Sequence, residues 1–120
     1  MARVLIADDS QFMRNILKNI IQKAGHEIVG EASNGREAVE LFITLNPDLV
    51  MLDIVMPEMD GLEALKKIME INPGAKVIMC TGLGQQKLVV QAIENGAKGY
   101  IVKPFQAEFV IKEINRVLSE

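Results

Sequence analysis

Short apolar runs alternate along the chain with longer segments in which apolar residues return every three or four positions. That spacing is typical of an α-helix with one buried face, whereas short runs rich in β-branched residues are typical of buried strands. The pattern predicts five strands, each followed by a helix. The predicted strands are Val4–Ala7, Ile28–Ala32, Leu49–Leu52, Val77–Thr81 and Tyr100–Val102.

Residues that begin and end helices stand between these segments. Asn34 with Glu37, and Asp60 with Glu63, have the spacing of capping boxes, in which a side chain accepts a hydrogen bond from a backbone N–H three residues later. Glycine and asparagine tolerate the left-handed conformation in which helices end, and proline cannot continue a helix. Such residues follow four of the predicted helices, at Gly25, Asn46-Pro47, Asn72-Pro73-Gly74 and Asn95-Gly96.

Strands that alternate with helices predict a parallel sheet, because two parallel strands need a long crossover between them. Helices then cover both faces of the sheet in a three-layer sandwich. The chain of 120 residues has the length of one domain, and it contains no linker and no shift in composition. The fold class is therefore α/β, a (βα)5 unit over residues 1–120.

Composition and charge exclude several classes of protein. Basic residues number 13 and acidic residues 16, so the net charge of −3 argues against direct binding to nucleic acid. The longest unbroken apolar run has four residues, too few to span a membrane, and the first run begins too early for a signal peptide to precede it. With a single cysteine, Cys80, no internal disulfide forms, and we expect a cytoplasmic protein.

Polar residues stand where the predicted strands end. Asp8 and Asp9 follow the first strand, Asp53 follows the third, Thr81 closes the fourth and Lys103 follows the fifth. Open α/β sheets bind ligands outside the carboxyl ends of their strands, which lie at one edge of the sheet. We therefore expect three carboxylates, a hydroxyl and an ammonium group to meet there.

Three carboxylates at one place require a proton or a cation. Each pair at about 4 Å repels by roughly 4 kcal/mol at an effective dielectric constant near 20. An all-oxygen site suits a hard divalent ion, with Mg²⁺ as the first choice and Mn²⁺ as the second. With Lys103 to balance anionic oxygens, these are the parts of a phosphoryl-transfer site. Asp53 is the better nucleophile, because it ends an apolar strand in the middle of the edge.

The chain resembles, over all of its length, the receiver domains of bacterial response regulators, and most of all the single-domain members that act in chemotaxis. The residues that carry the resemblance are Asp8-Asp9, Asp53, Met56-Pro57, Gly61, Thr81-Gly82 and Lys103-Pro104-Phe105. The resemblance implies a flavodoxin-like sheet with the strand order 2-1-3-4-5. It also implies that a histidine kinase donates a phosphoryl group to Asp53.

The same resemblance implies roles for the neighbouring residues. Mg²⁺ would be bound by Asp9, by Asp53 and by the backbone oxygen of Val55, with Asp8 acting through a water molecule. Lys103 would pair with the phosphoryl group. Thr81 would donate a hydrogen bond to that group, and the peptide bond between Lys103 and Pro104 would be cis.

Thr81 and Tyr100 are the predicted switch residues. A phosphoryl group adds nearly two negative charges and three strong acceptors. Thr81 can reach an acceptor only if the Gly82–Gly84 loop moves, and the volume that it leaves is available to the ring of Tyr100. The following helix begins without an obvious N-cap residue, which helps such a movement.

The output is expected to be a contact with another protein. The chain ends at Glu120, directly after the last predicted helix, and carries no DNA-binding module. The run from Asp8 to Arg14 resembles the motility branch of the family, so we expect a mainly monomeric protein, not an enzyme, whose partner is the flagellar motor switch. Self-phosphorylation from small donors and self-dephosphorylation are expected to be slow at most. The surface predicted to bind the partner comprises Lys87, Gln91, Glu94, Tyr100, Phe105 and Lys112.

Other functions stay open from the sequence. Within the family these are a sporulation-type phosphorelay intermediate, a receiver excised from a longer regulator and a docking module without phosphorylation. A Mg²⁺-dependent phosphatase of the haloacid-dehalogenase type would need a second Asp where Val55 stands. A flavodoxin-type electron carrier would need a Ser/Thr-rich loop where Asp8 and Asp9 stand. Because Val55 and Leu83 are apolar and flank the expected path of water, we predict slow loss of the phosphoryl group.

Overall fold

A computed structural model describes all residues from 1 to 120. Each predicted strand is confirmed to within one residue at either end. None of the helices combines the length and the apolar character needed to cross a bilayer. In chain order the elements are β1 (Arg3–Ala7), α1 (Gln11–Lys23), β2 (Glu27–Ala32), α2 (Gly35–Leu45), β3 (Leu49–Asp53), α3 (Gly61–Ile71), β4 (Val77–Thr81), α4 (Gln86–Glu94), β5 (Gly99–Val102) and α5 (Ala107–Leu118).

The five strands form one parallel sheet in the order β2-β1-β3-β4-β5, which confirms the predicted fold class and strand order. The register aligns the strand ends: Ala7 pairs with Leu52, and Asp53 with Cys80. Thr81 in turn pairs with Val102. Since all the strands run in one direction, the residues that follow β1, β3, β4 and β5 meet at one edge of the sheet.

The sheet buries both of its faces. Alternate side chains of β3 point to opposite sides, so Val50 and Leu52 pack beneath α2 and α3, with Phe42 and Leu65. Leu49 and Met51 contribute to the second core, which α1 and α5 cover. Every residue of β3 and β4 is buried, which explains why these strands read as continuous apolar runs rather than as alternating ones.

The helix starts largely follow the capping residues in the sequence. The side chain of Asn34 accepts a hydrogen bond from the Glu37 N–H at 2.8 Å, and Asp60 caps α3 in the same way. The Glu37 carboxylate accepts from the N–H of Ser33, one residue earlier than a reciprocal capping box requires. As predicted, no side chain caps the start of α4, where Gln85 occupies the N-cap position.

A close approach of two backbones fixes the loop after β3. The N–H of Gly61 donates to the carbonyl of Ile54 at 2.7 Å. A Cβ atom on Gly61 would overlap the carbonyl oxygen of Asp53, so only glycine fits at the start of α3. This contact sets the path of the chain directly beyond Asp53.

Candidate functional site

Asp8 is held in place by the first turn of α1. It is buried, and its Oδ1 accepts a hydrogen bond from the N–H of Ser10 at 2.9 Å. Ser10 also caps α1, with its hydroxyl oxygen accepting from the N–H of Met13. The other carboxylate oxygen of Asp8, Oδ2, lies 2.9 Å from Nζ of Lys103. The start of α1 therefore orients Asp8 toward the centre of the edge.

Arg14 supports Asp8 from the adjacent face of α1. Its guanidinium group donates to the backbone carbonyl of Asp8 and to the carboxylate of Glu31 on β2. Glu31 also accepts from Lys18 at 2.8 Å, and this hydrogen bond lowers the pKa of Glu31 below its ordinary value. In the sequence Arg14 stands only within the motif that resembles the family, because its partner on β2, Glu31, is distant along the chain.

Asp53 and Lys103 form the centre of the site. Asp53 is the last residue of β3 and is buried, and its Oδ2 accepts from Nζ of Lys103 at 3.2 Å. The backbone of Lys103 is held where β5 ends, because its N–H donates to the carbonyl of Thr81 at 2.7 Å. The Lys103–Pro104 peptide bond is cis, as the resemblance implied. One ammonium group thus bridges the carboxylates of Asp8 and Asp53.

Asp9 completes the acidic cluster from the solvent side. It is exposed, and one carboxylate oxygen each from Asp8, Asp9 and Asp53 lie within 4.8 Å of one another. The predicted meeting of these acids with Lys103 is therefore confirmed. Three carboxylates with a single ammonium group leave an excess of negative charge, and an all-oxygen set of this kind fits Mg²⁺ or Mn²⁺.

The charges of the cluster shift its protonation. Burial and the adjacent Asp8 raise the pKa of Asp53 to about 6, although the ammonium group of Lys103 opposes the shift. Burial alone would lower the pKa of Lys103, but its hydrogen bond to Asp8 and the charge of Asp53 outweigh that effect, so this pKa is raised. At neutral pH Asp53 is therefore largely an anion and Lys103 a cation, as a nucleophile and an anion-binding group require.

Thr81 is buried at the end of β4, and its hydroxyl group is bound within the loop that follows. The hydroxyl donates to Oε1 of Gln85 at 2.9 Å and lies 3.2 Å from the carbonyl oxygen of Gly82. The N–H of Gly82 donates to the same Gln85 oxygen at 2.7 Å. Gln85 was not among the predicted site residues, because its only signal in the sequence is a glutamine at the uncapped start of α4.

Tyr100 faces outward from β5. Strand β5 alternates buried and exposed residues, so Tyr100 is 47% exposed while Ile101 is buried. Its ring borders a groove of about 560 Å³ between α4 and β5, which Leu83 and Val90 also line. The predicted inward swing of Tyr100 would start from this outward position.

The predicted partner surface is mostly exposed. Phe105 differs, because it is half-buried and packs against the core beneath α1 and α5. This face also contains exposed apolar residues that were not predicted from the sequence. The sequence could have indicated them by their positions, which lie beside the buried stripe of a helix or on the outer side of β5. The exposed members of the prediction are Lys87, Gln91, Glu94, Tyr100 and Lys112, and the additional apolar residues are Val90, Ile93, Val102 and Phe109.

Comparisons with known proteins agree with this geometry. Residues 4–115 match the family described as the response regulator receiver domain. The chain is 57% identical to the chemotaxis protein CheY of Thermotoga maritima over 115 residues, which cover 96% of each chain. It is 53% identical to the chemotaxis protein CheY of Bacillus subtilis, with 98% of each chain covered.

A solved structure gives the same result. A chain in the crystal structure of the CheX-CheY-BeF3-Mg+2 complex from Borrelia burgdorferi superimposes with a TM-score of 0.93. The two chains are 40% identical, and the match covers 98% of this chain and 90% of the other. Fold and sequence therefore point to one family.

Proposed function

The chain belongs to the family of response regulator receiver domains, and on that premise we propose that it is a signalling protein whose Asp53 accepts a phosphoryl group from a histidine kinase. The observation that carries the proposal is the ammonium group of Lys103 held between Asp8 and Asp53 within the acidic cluster. The exposed Asp9 as a metal ligand, the buried Asp53 as the nucleophile and Lys103 as the cation would then lie side by side. The family match also favours this function over the phosphatase and flavodoxin alternatives.

The chemical step uses Asp53 as the nucleophile. A carboxylate oxygen of Asp53 attacks the phosphorus of the phosphohistidine, forming an O–P bond while the P–N bond breaks. The imidazole nitrogen leaves with the bonding electron pair. The leaving group is neutral imidazole when its other ring nitrogen already carries a proton, and it otherwise takes one proton from water to become neutral. A pKa of about 6 supports this role, because Asp53 is then mostly ionised at neutral pH yet less stabilised as an anion than an exposed carboxylate. Lys103 balances the negative charge of the transferred group.

Asp9, Asp53 and the backbone oxygen of Val55 would hold the metal directly, and Asp8 would act through water. The burial and contacts of the two adjacent acids support this division, since Asp8 already accepts from Ser10 and Lys103 while Asp9 is exposed. Bound Mg²⁺ supplies positive charge to the oxygens of the transferred group. Mn²⁺, which also prefers oxygen ligands, would serve in its place.

The signal would leave through α4, β5 and α5. Phosphorylation would draw Thr81 toward the new group and allow Tyr100 to move inward. The exposed apolar residues Val90, Val102 and Phe109 support protein binding on this face, with the predicted polar residues at their margin. The relatives named as chemotaxis proteins favour the flagellar motor switch as partner over a phosphorelay protein.

The phosphoacceptor is tested by intact mass. Incubation with acetyl phosphate and Mg²⁺ is expected to add one phosphoryl group to the protein. Asp53→Asn should remain unmodified, as should the wild type in EDTA. Asp60→Asn is the matched control, because Asp60 is an exposed helix cap outside the cluster and asparagine caps equally well. Modification of Asp53→Asn to the wild-type level would refute the proposal.

The partner is tested by binding with the protein in its activated state. In Mg²⁺ and beryllofluoride, a mimic of the phosphoryl group, the protein should bind an isolated motor-switch component more tightly than without beryllofluoride. Val90→Glu, on the exposed side of α4, should abolish the gain, whereas Lys67→Glu on the exposed face of α3 should retain it. This output surface would be contradicted if the wild type bound the partner equally with and without beryllofluoride. It would also be contradicted if Val90→Glu showed the same gain as the wild type.

A further inference from the structure

One side-chain oxygen, Oε1 of Gln85, accepts two hydrogen bonds that converge from the end of β4. The donors are the hydroxyl of Thr81 at 2.9 Å and the N–H of Gly82 at 2.7 Å. Thr81 is buried and Gln85 is half-buried, so water competes weakly for these groups. A hydroxyl and an amide N–H aimed at one oxygen form an arrangement that also suits an anionic oxygen.

We propose that Gln85 is a positioning residue that holds Thr81 and Gly82 in the unphosphorylated state and must be displaced when Asp53 is phosphorylated. The inference rests on the proposed function and adds to it a residue that sets the balance of the switch. The Gln85 acceptor is a neutral amide oxygen, whereas a phosphoryl group offers three charged oxygens. On phosphorylation, Thr81 and Gly82 therefore exchange a weaker acceptor for a stronger one. The hydrogen bonds to Gln85 must break first, which lowers the net free energy gained by the switch.

Gln85 also connects the site to the output surface. It is the residue directly before α4, and its carbonyl oxygen accepts from the N–H groups of Leu88 and Val89 in the first helical turn. No side chain caps this end of α4, and Gly84 has a φ of 84° that favours glycine. Release of the Gln85 side chain would therefore free the start of α4 together with the loop.

The test measures beryllofluoride affinity in Mg²⁺, with Tyr100, the single tyrosine in a chain without tryptophan, as the fluorescent probe. Gln85→Leu and Gln85→Met remove the acceptor at similar size. Each should bind about three- to tenfold more tightly, less than two full hydrogen bonds would give, because water partly replaces the lost acceptor. Gln85→Glu keeps the acceptor and adds a charge, so it should bind about tenfold more weakly or worse. Gln86→Leu, at the exposed neighbouring glutamine, is the matched control and should stay at the wild-type affinity.

Tighter binding in Gln85→Leu and Gln85→Met cannot come from loss of packing, which would weaken binding, whereas the weakening in Gln85→Glu also includes repulsion between its charge and beryllofluoride. In a Thr81→Ala background one of the two donors is absent. The change in the logarithm of beryllofluoride affinity that Gln85→Leu causes should therefore fall by at least half. Equal affinities of Gln85→Leu, Gln85→Glu and the control would overturn the inference. Absence of beryllofluoride binding in the wild type would instead refute the proposed function.

Discussion

The ammonium nitrogen of Lys103 lies 3.2 Å from a carboxylate oxygen of Asp53, although the two residues are separated by 50 positions in the sequence. The same nitrogen lies 2.9 Å from Asp8. A single cation therefore offsets two buried acids, and the exposed Asp9 leaves the cluster with a net negative charge. Burial and this excess of negative charge raise the pKa of Asp53, and the same excess makes the site suitable for a divalent cation.

Replacing Asp53 should stabilise the metal-free protein. Because its pKa is raised from 3.8 to about 6, the folded state retains the proton longer than the unfolded chain. The unfolding free energy therefore decreases as pH rises through that interval, and the full decrease is reached above about pH 6. Asp53→Asn removes the ionisable group, so we expect its unfolding free energy at neutral pH to exceed that of the wild type by about 1–3 kcal/mol. Urea denaturation in EDTA measures the change.

The pH dependence provides the check on that stabilisation. At a pH below 3.8 both states hold the proton, so wild type and Asp53→Asn should have similar unfolding free energies. Asp60→Asn, at an exposed helix cap, should show little change at either pH. A stabilisation of Asp53→Asn that is the same in acid and at neutral pH would show that burial and repulsion of its charge are not the cause.

Magnesium should stabilise the wild type through Asp9. A ligand that binds only the folded state raises the unfolding free energy in proportion to the logarithm of its concentration. Millimolar Mg²⁺ should therefore raise the melting temperature at neutral pH, and less so below about pH 6, where Asp53 is protonated. Asp9→Asn should fold normally, since Asp9 is exposed, but should lose most of the response. Equal Mg²⁺ responses in the two proteins would exclude Asp9 as a ligand.

Removal of Lys103 should destabilise the metal-free protein. Lys103→Met leaves two buried carboxylates without their shared cation, and we expect a loss of about 1–3 kcal/mol, because Lys103 retains partial exposure. Adding Asp53→Asn to this variant should recover part of the loss. Chemical denaturation in EDTA measures both effects, with Lys67→Met on the exposed face of α3 as the control. An unchanged stability would mean that the ammonium group does not offset these acids.

Gly61 should not tolerate a methyl group. Its missing Cβ allows the start of α3 to lie against the carbonyl of Asp53, and Gly61→Ala would force these backbones apart. We expect a loss of about 2–4 kcal/mol, together with a weaker Mg²⁺ response because Asp53 shifts. At Gly74 a Cβ would meet only the Asn72 side chain at 3.3 Å, so Gly74→Ala is a suitable control. Melting curves with and without Mg²⁺ separate the two effects.

The lifetime of the phosphoryl group should respond to Val55 and Leu83. Val55 is 54% exposed and Leu83 is 87% exposed, so polar replacements will not disturb the core. Val55→Asn together with Leu83→Glu should shorten the lifetime, because polar groups there can orient a water molecule that apolar side chains cannot. Phosphorylated protein is followed by intact mass after the donor is removed. A lifetime equal to that of the wild type would contradict the water-path interpretation.

The sequence by itself predicted the five strands, the helices between them and the meeting of Asp8, Asp9, Asp53 and Lys103. These features depend on local periodicity and on a general property of parallel sheets, whose strands all present their carboxyl ends at one edge. The strand order itself rested on the family resemblance, because periodicity does not determine which strands are neighbours.

Only the tertiary structure decided how the side chains at that edge are bound. It placed one ammonium group between Asp8 and Asp53, directed the Thr81 hydroxyl to Gln85, and packed Phe105 against the core. Each of these outcomes depends on neighbours contributed by other elements, which set burial, rotamer and hydrogen-bond partner together. A pattern read along one strand or helix carries no information about such neighbours, and the raised pKa of Asp53 follows from them.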